Sequence, residues 1–539
     1  AGAAEATAGV EMDEEEREVV SSAPEGPRKC PFLDTVDRAV LDFDMAKVCS
    51  VTLSNMNVYA CLVCGKFFQG RGRNTPAYTH SVQAFHHVFM NLHTTRVYCL
   101  PDLYEVGDSS LDDIKRCLDP RFTEEQIVAL DSSTTLARDV YGVAYLPGYM
   151  GLNNLKHTDF VNVVLHALAH VRPLRNYFLN PSSYSSSRSP VCHKFGEFMR
   201  KMWSKDNFKS IVSPQELLQA ISVASKKRFT IGQPSECIEF LSWFLNTLHQ
   251  GLATSRSPSA KSKVREVFQG LVEVTTLSKK RRRLPAAAAE ETPAEGAEET
   301  KGSDAAAAAA DDDEWETTTA DVPFLFLSLD IPPMPLFQDA KGGNVIPQVP
   351  LFELLKKFDG ESFTDALQQG RPVRRRYRIK KLPPYLIMHL VRFTRNTFDM
   401  EKNHTVVTPP VKNLEMRDYL FTPEGRPAPS STKYNLVANI VHDSPDATTV
   451  SGEDAHQAGQ YRVHVHNAAA QQWYEVMDLH VTETMPQLIG LSESYLLVYE
   501  LKPADAPSAM AQPHPTTGPA AAAPPSPPPG PPPGPPPGP

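Results

Sequence analysis

Two cysteines one knuckle apart, followed by spaced histidines, constrain this chain more than any other feature. In YACLVCGKFFQGRGRNTPAYTHSVQAFHH, Cys61 and Cys64 stand C-x2-C, His80 follows after fifteen residues and His86 after five more. Zinc takes four such ligands: two thiolates on a tight turn and two imidazoles at the remaining corners leave no open position. A closed site of that kind supplies folding energy rather than catalysis. Cys49, Cys99, His87 and His93 are close enough to compete as ligands. On one straight helix His80 and His86 would diverge by roughly 120°, so the chain has to bend between them.

The rest of the 539 residues divides by composition. Residues 1–29 hold eight acids and three bases with few large apolar groups, and they are expected to form a disordered arm. Residues 30–130 are rich in Cys, His and aromatics and are expected to form the metal-stapled domain. A second domain is expected over 141–501, interrupted by a disordered insertion at 279–320. There SKKRRRLPAAAAEETPAEGAEETKGSDAAAAAADDDEWETTT loses all periodicity. Seventeen of the 48 prolines fall between Pro503 and Pro539, which marks 502–539 as a disordered, polyproline-like tail. Net charge is −9, but the arm and insertion carry more than that, so the packed parts are only mildly basic and protein partners are the default. No run of eighteen apolar residues and an acidic N-terminus argue against a membrane span or secretory leader. Eight cysteines with none after Cys237 are not a disulfide framework, which suits a reduced, intracellular setting.

Within the second domain, GLNNLKHTDFVNVVLHALAHV reads as a Gly/Asn loop running into an apolar helix near Thr158 or Asp159, with Thr158 as N-cap. Further helices are expected at FGEFMRKMW, at SPQELLQAISVASKK with Ser213 as cap, and at SECIEFLSWFLNTLHQGL. Beyond the insertion, VPFLFLSLDIP, LPPYLIMHLVRF, YNLVANIVH, QYRVHVHN, QWYEVMDLHV and ESYLLVYE read as strands of a largely antiparallel sheet.

The run YACLVCGKFFQGRG, with AYTHSVQAFHHVFMNL and VYCLPD, resembles the zinc finger of ubiquitin-specific proteases. That resemblance implies Cys61, Cys64, His80 and His86 as the ligands of a structural zinc; it does not carry ubiquitin-tail binding over. The second domain resembles the catalytic domain of the same proteases through GLNNLKHTDFVN, SECIEFLSWFL, VFQG, LPPYLIMHLVRF, AGQYRVHV, WYEVMDLHV and SYLLVYE, in that order. The implied fold class is α+β: a small zinc-stapled finger, then a papain-like domain of thumb, palm and fingers. Separate cores are expected for the two, so that loss of Cys64 unfolds the first and leaves the second standing.

The family's chemistry needs a cysteine thiolate at the start of the first helix, and Asp159 stands there. A carboxylate is a poor nucleophile toward an amide, because the amine leaves less readily than the carboxylate that attacked. The family's base position reads Gln460, an amide that cannot accept the proton. His464 and His466 lie roughly 13 and 20 Å further along an extended strand and do not fill that point. The orienting acid falls at Met477, with Asp478 one residue on and expected to face the other way. Asn154 matches the family's oxyanion-stabilising asparagine, but without nucleophile and base its expected role is to fix the loop. The paired C-x2-C ribbons many members carry in the fingers are absent.

Through SVTLSNMNVYACLVCGKFFQGRG, LPGYMGLNNLKHTDF and QVPLFELLKKFDG the chain closely resembles the tri-snRNP-associated protein 2 family of inactive protease-like splicing factors. Membership implies a nuclear, noncatalytic protein that stabilises the spliceosomal tri-snRNP through its proteins, with any RNA contact indirect. The basic run Lys279–Arg283 is compatible with nuclear import. A noncatalytic ubiquitin receptor, with Glu236 as its supporting residue, is the alternative, and an active deubiquitinase ranks last.

Overall fold

The computed structural model describes residues 28–255, 257, 260–279, 315–333, 347–368, 371–395, 400–421, 431–444 and 459–503. The expected arm and tail lie outside these residues except at their inner ends: the Arg28 amide donates to Glu105 O, and that of Lys502 to Lys433 O. Of the expected insertion, 280–314 lies outside as well. Its last residues do not: Trp315–Phe324 pairs antiparallel with Gly270–Lys279 along the whole length of both. The run of threonines there favours a pleated strand once a partner strand is present.

The N-terminal part builds a five-stranded antiparallel sheet in the order Phe67–Gln69, Val58–Cys61, Val88–Asn91, Val97–Cys99, Tyr104–Val106, with helix Pro76–Ala84 beside it. The second domain opens with helices Asp159–Ala169, Arg172–Leu179, Pro190–Trp203, Gln215–Ala224 and Cys237–Leu252. Ser213 does not cap the fourth of these. Pro214 occupies the N-cap, and the Ser213 amide donates to Asp44 instead, at 2.9 Å. Thr158 holds its N-cap position but bonds backward into the preceding loop.

A large sheet follows, ordered Leu327–Asp330, Tyr385–Val391, Ser494–Leu501, Lys433–Asp443, Gln460–Asn467, Gln472–Met477, His480–Thr484. Successive residues of a strand face opposite sides, and here both sides are covered. Ile387, Leu496 and Val498 join the core beneath the helices, while Met388, Leu497 and Tyr499 join a second core on the far face. Sequence runs with apolar residues on both parities are the consequence. A separate four-stranded sheet, Trp315–Phe324, Gly270–Lys279, Arg371–Lys381, Asp359–Gln368, forms the fingers. Among the described residues no helix is long and apolar enough to cross a membrane.

The zinc-finger part and the second domain have distinct cores, but each lends a residue to the other. Phe208 is buried in the N-terminal core, and Ile127, flanked by Phe122 and Leu130, in the helical one. Residues 122–130 therefore pack with the second domain, although expected in the first. Charged pairs reinforce the seam. Lys201 Nζ meets Asp44 Oδ1 and Phe43 O, both at 2.7 Å, and Lys209 Nζ meets Asp42 at 2.5 Å. Burial opposes the charge on Lys201, yet Asp44 holds its pKa above the ordinary value. Removing one partner of a buried pair strands the other. Asp44→Ala is expected to cost about 3 kcal/mol in urea unfolding and to split one transition into two; a single transition at the native midpoint would show that the seam contributes nothing.

Candidate metal centre and cleft

Four side chains of the N-terminal sheet and helix converge. Helix Pro76–Ala84 carries His80, then ends at Phe85, which takes φ 58°, and this left-handed cap swings His86 back toward the knuckle. The bend required by the spacing is thus a helix terminus. His80 Nε2 lies 3.4 Å from Cys64 Sγ, His86 Nδ1 lies 3.5 Å from Cys61 Sγ, and the two nitrogens are 3.1 Å apart. All four ligand atoms fall within 4.8 Å of one another, and no other group of three or more metal-ligating side chains does so among the described residues. The edges of a tetrahedron with zinc–sulfur bonds near 2.3 Å and zinc–nitrogen bonds near 2.0 Å are about this long, so the donor set fits zinc.

The Cys64 thiol is held down to about 4, first by the hydrogen bond from Cys61, whose own thiol is pushed up in consequence. The His80 ring stacks on Phe68 at 4.2 Å, which fixes its plane. Three of the competing residues stand in other surroundings. Cys49 Sγ accepts from the amides of Val51 and Thr52, His87 Nδ1 bonds Leu100 O, and burial pushes the Cys99 thiol up to about 12.

In the second domain, the loop before helix Asp159–Ala169, the start of strand Gln460–Asn467 and the turn after strand Gln472–Met477 meet at one point. Asp159 Oδ2 accepts from the Tyr461 amide at 2.9 Å. Asp478 does not face away as strand alternation suggested. The strand has already ended at Met477, and Asp478 takes φ 50°, which turns its carboxylate inward. It accepts from Asn154 Nδ2 at 2.9 Å, Asn162 Nδ2 at 3.0 Å and Gln460 Nε2 at 3.3 Å. Gly151 permits this approach, since a Cβ there would lie 2.7 Å from Leu479 O. Asn154 is fully engaged: its Oδ1 accepts from Thr158 N and Oγ1. Asn162, Tyr461 and the inward Asp478 were not read from the sequence, and only the departure from strand dihedrals reveals the last.

These groups hydrogen-bond one another across the cleft. The thiol of Cys237 is completely buried, and burial together with the Asp159 charge keeps it protonated. His464 is buried between Glu475, at 3.0 Å, and Asn439, at 3.2 Å, while His466 packs on Trp473. Glu236 accepts from Tyr495 OH at 3.4 Å, within its own domain. A cavity of about 630 Å3 lies elsewhere, between Phe122, Tyr149, His170 and Trp203.

Two outcomes follow. Cys64→Ser, or chelation, is expected to release zinc and abolish amide protection in Val58–Cys61 and Val88–Asn91, and also to lower the midpoint of the second domain through the loss of the Asp42 and Asp44 pairs. Retained protection without zinc would end the stapling argument. Burial, aided by the Asp478 charge, raises the Asp159 carboxyl above its ordinary value. Its ionisation therefore costs stability, a cost absent below the unfolded pKa of about 3.9 and present at neutral pH. Asp159→Asn should raise Tm by roughly a few degrees at pH 7.5 and leave it unchanged at pH 3.

Comparisons with known proteins agree with this geometry. Residues 150–499 match the family model of ubiquitin carboxyl-terminal hydrolase, and residues 49–111 that of the Zn-finger in ubiquitin-hydrolases and other protein. Ubiquitin carboxyl-terminal hydrolase 39 of Mus musculus is 44% identical over 508 residues, covering 92% of this chain and 85% of that one. "Probable mRNA-splicing protein ubp10" of Schizosaccharomyces pombe is 40% identical over 472 residues, covering 87% and 88%. A crystal structure of an essential yeast splicing factor superposes with TM-score 0.65 at 25% identity, covering 88% of this chain and 100% of that chain. The chain belongs to the ubiquitin carboxyl-terminal hydrolase family, and within it to the zinc-finger-bearing tri-snRNP-associated protein 2 group whose motifs it carries.

Proposed function

We propose that this chain is a noncatalytic pre-mRNA splicing factor of the nucleus, one that stabilises or helps assemble the spliceosomal tri-snRNP through contacts with its proteins. Zinc, held by Cys61, Cys64, His80 and His86, is structural in this reading, and Asp159, Gln460 and Met477 are degenerate catalytic positions. The observation that carries it is the cleft. Where a protease needs thiolate, imidazole and a free oxyanion donor, this chain has a carboxylate bonded to a backbone amide and an asparagine bonded to Asp478. The splicing names of two of the matched proteins support the assignment to the spliceosome.

The test has two parts. Tagged chain drawn from nuclear extract at moderate salt should bring the tri-snRNP small nuclear RNAs and their core proteins. Purified chain should give no turnover of a fluorogenic ubiquitin amide above buffer. Ubiquitin conjugates recovered without small nuclear RNAs would replace this reading with that of a ubiquitin receptor, and turnover abolished by Asp159→Ala would restore an enzyme.

A further inference from the structure

The fingers sheet carries a feature outside both the metal centre and the cleft. Strand Arg371–Lys381 reads RPVRRRYRIKK, and its two faces differ in character. Tyr377 and Ile379 turn toward the core of the domain, and Val373 is buried on the same face. Arg374, Arg376, Arg378 and Lys380 share the opposite face. Lys380 is neutralised there by Glu273 at 2.6 Å and Asp321 at 2.7 Å, and Arg374 meets Asp365 at 3.4 Å in an exposed pair that salt would screen. Arg376 and Arg378 have no acidic partner within salt-bridge distance among the described residues.

Each of the three arginines lies against an aromatic ring. Arg374 is 5.7 Å from the centroid of Trp315, Arg376 is 5.6 Å from that of Phe363, and Arg378 is 4.2 Å from that of Phe421. The rings come from three different segments, and Phe363 stands directly opposite Arg376 in the register. Trp315 and Phe363 stay 37% and 47% exposed, large values for rings in a paired sheet. Gly360, at φ 80°, makes room for Arg378, whose Nε would lie 2.9 Å from a Cβ at that position.

We propose that this face is a binding site for single-stranded RNA. Guanidinium groups stacked on rings are pre-organised and planar, and they donate to phosphate with little further loss of freedom. Alternate residues of a strand recur about every 6.6 Å, a repeat commensurate with the phosphates of an extended single strand. The exposed rings beside the arginines offer stacking surfaces for bases, which an acidic peptide would not use. The site adds a direct RNA contact to a protein whose sequence suggested only an indirect one.

Fluorescence anisotropy of a labelled dodecauridylate with the full chain tests it. Binding is expected at 50 mM salt, weakening steeply toward 200 mM. Arg374→Gln/Arg376→Gln/Arg378→Gln is expected to weaken it at least tenfold and to reduce the salt slope by about 2, at roughly 0.7 for each phosphate no longer neutralised. Phe363→Ala should weaken binding several-fold with the slope unchanged, which separates stacking from charge and does not depend on the triple variant folding. No binding by the native chain, or equal binding by folded variants, overturns the proposal. So does equal competition by a polyglutamate of the same length, since the face would then be one for acidic peptides.

Discussion

The carboxylate of Asp478 ties the loop and helix of residues 154–162 to strand Gln460–Asn467, about 300 residues on in sequence. Through its two oxygens it accepts from Asn154 in the loop, Asn162 in the helix and Gln460 in the strand. Each bond to an ionised acceptor is stronger than a neutral one, and three converge on one group. A protease cannot close its cleft this way, because the loop asparagine has to be free for a transition-state oxygen and the strand position has to carry a base. On the noncatalytic reading proposed above, Gln460 in place of an imidazole and Asp159 in place of a thiol let the same backbone cross-link itself. On that reading the cleft serves as a structural knot, and its cost is the partly buried acid at Asp159, held above its ordinary pKa.

A comparable economy joins the zinc finger to the second domain. The loop that carries Asp42 and Asp44 sits against the C-terminal end of helix Pro190–Trp203 and the residues after it, so Lys201, Lys209 and the Ser213 amide all point at two carboxylates. The exchange of Phe208 and Ile127 between cores adds apolar burial to the same seam. Small domains bury a limited fraction of their surface, and the N-terminal sheet compensates twice, with a metal-fitting cluster inside and a charged, partly apolar seam outside. Its orientation relative to the cleft is therefore part of the fold.

What could be read from the sequence followed the strength of local signals. The Cys/His spacing, the helix beginning at Asp159 and the strands at Tyr385–Val391 and Ser494–Leu501 stood out because ligand spacing and apolar runs are local. Asp478 was misdirected because strand alternation was extended one residue past the end of the strand, where a positive φ overrides it. Ser213 failed as a cap because the helix begins one residue later than expected, with Pro214 at the N-cap, while the Ser213 amide is tied to Asp44, distant in sequence. Arg371–Lys381 gave no strand signal, since one whole face is cationic and its partner Asp359–Gln368 is polar at most positions. Such a strand depends on tertiary pairing, which sequence reading does not see.

That strand also explains how the fingers stand without the paired C-x2-C ribbons of many relatives. A metal clip fixes the register of long, solvent-exposed strands by tying their ends. Here the register is fixed side to side: Lys380 bridges Glu273 and Asp321 on two neighbouring strands, Phe363 on the flanking strand lies against Arg376, and Trp315, one strand beyond Gly270–Lys279, lies against Arg374. Cross-strand pairs of this kind contribute roughly 0.2–1 kcal/mol each, so several are needed to do the work of one ion. Repeating them along one strand necessarily lines up the cations. A sheet that keeps its register by arginine and aromatic pairs thus acquires, from the same residues, a face suited to a chain of phosphates.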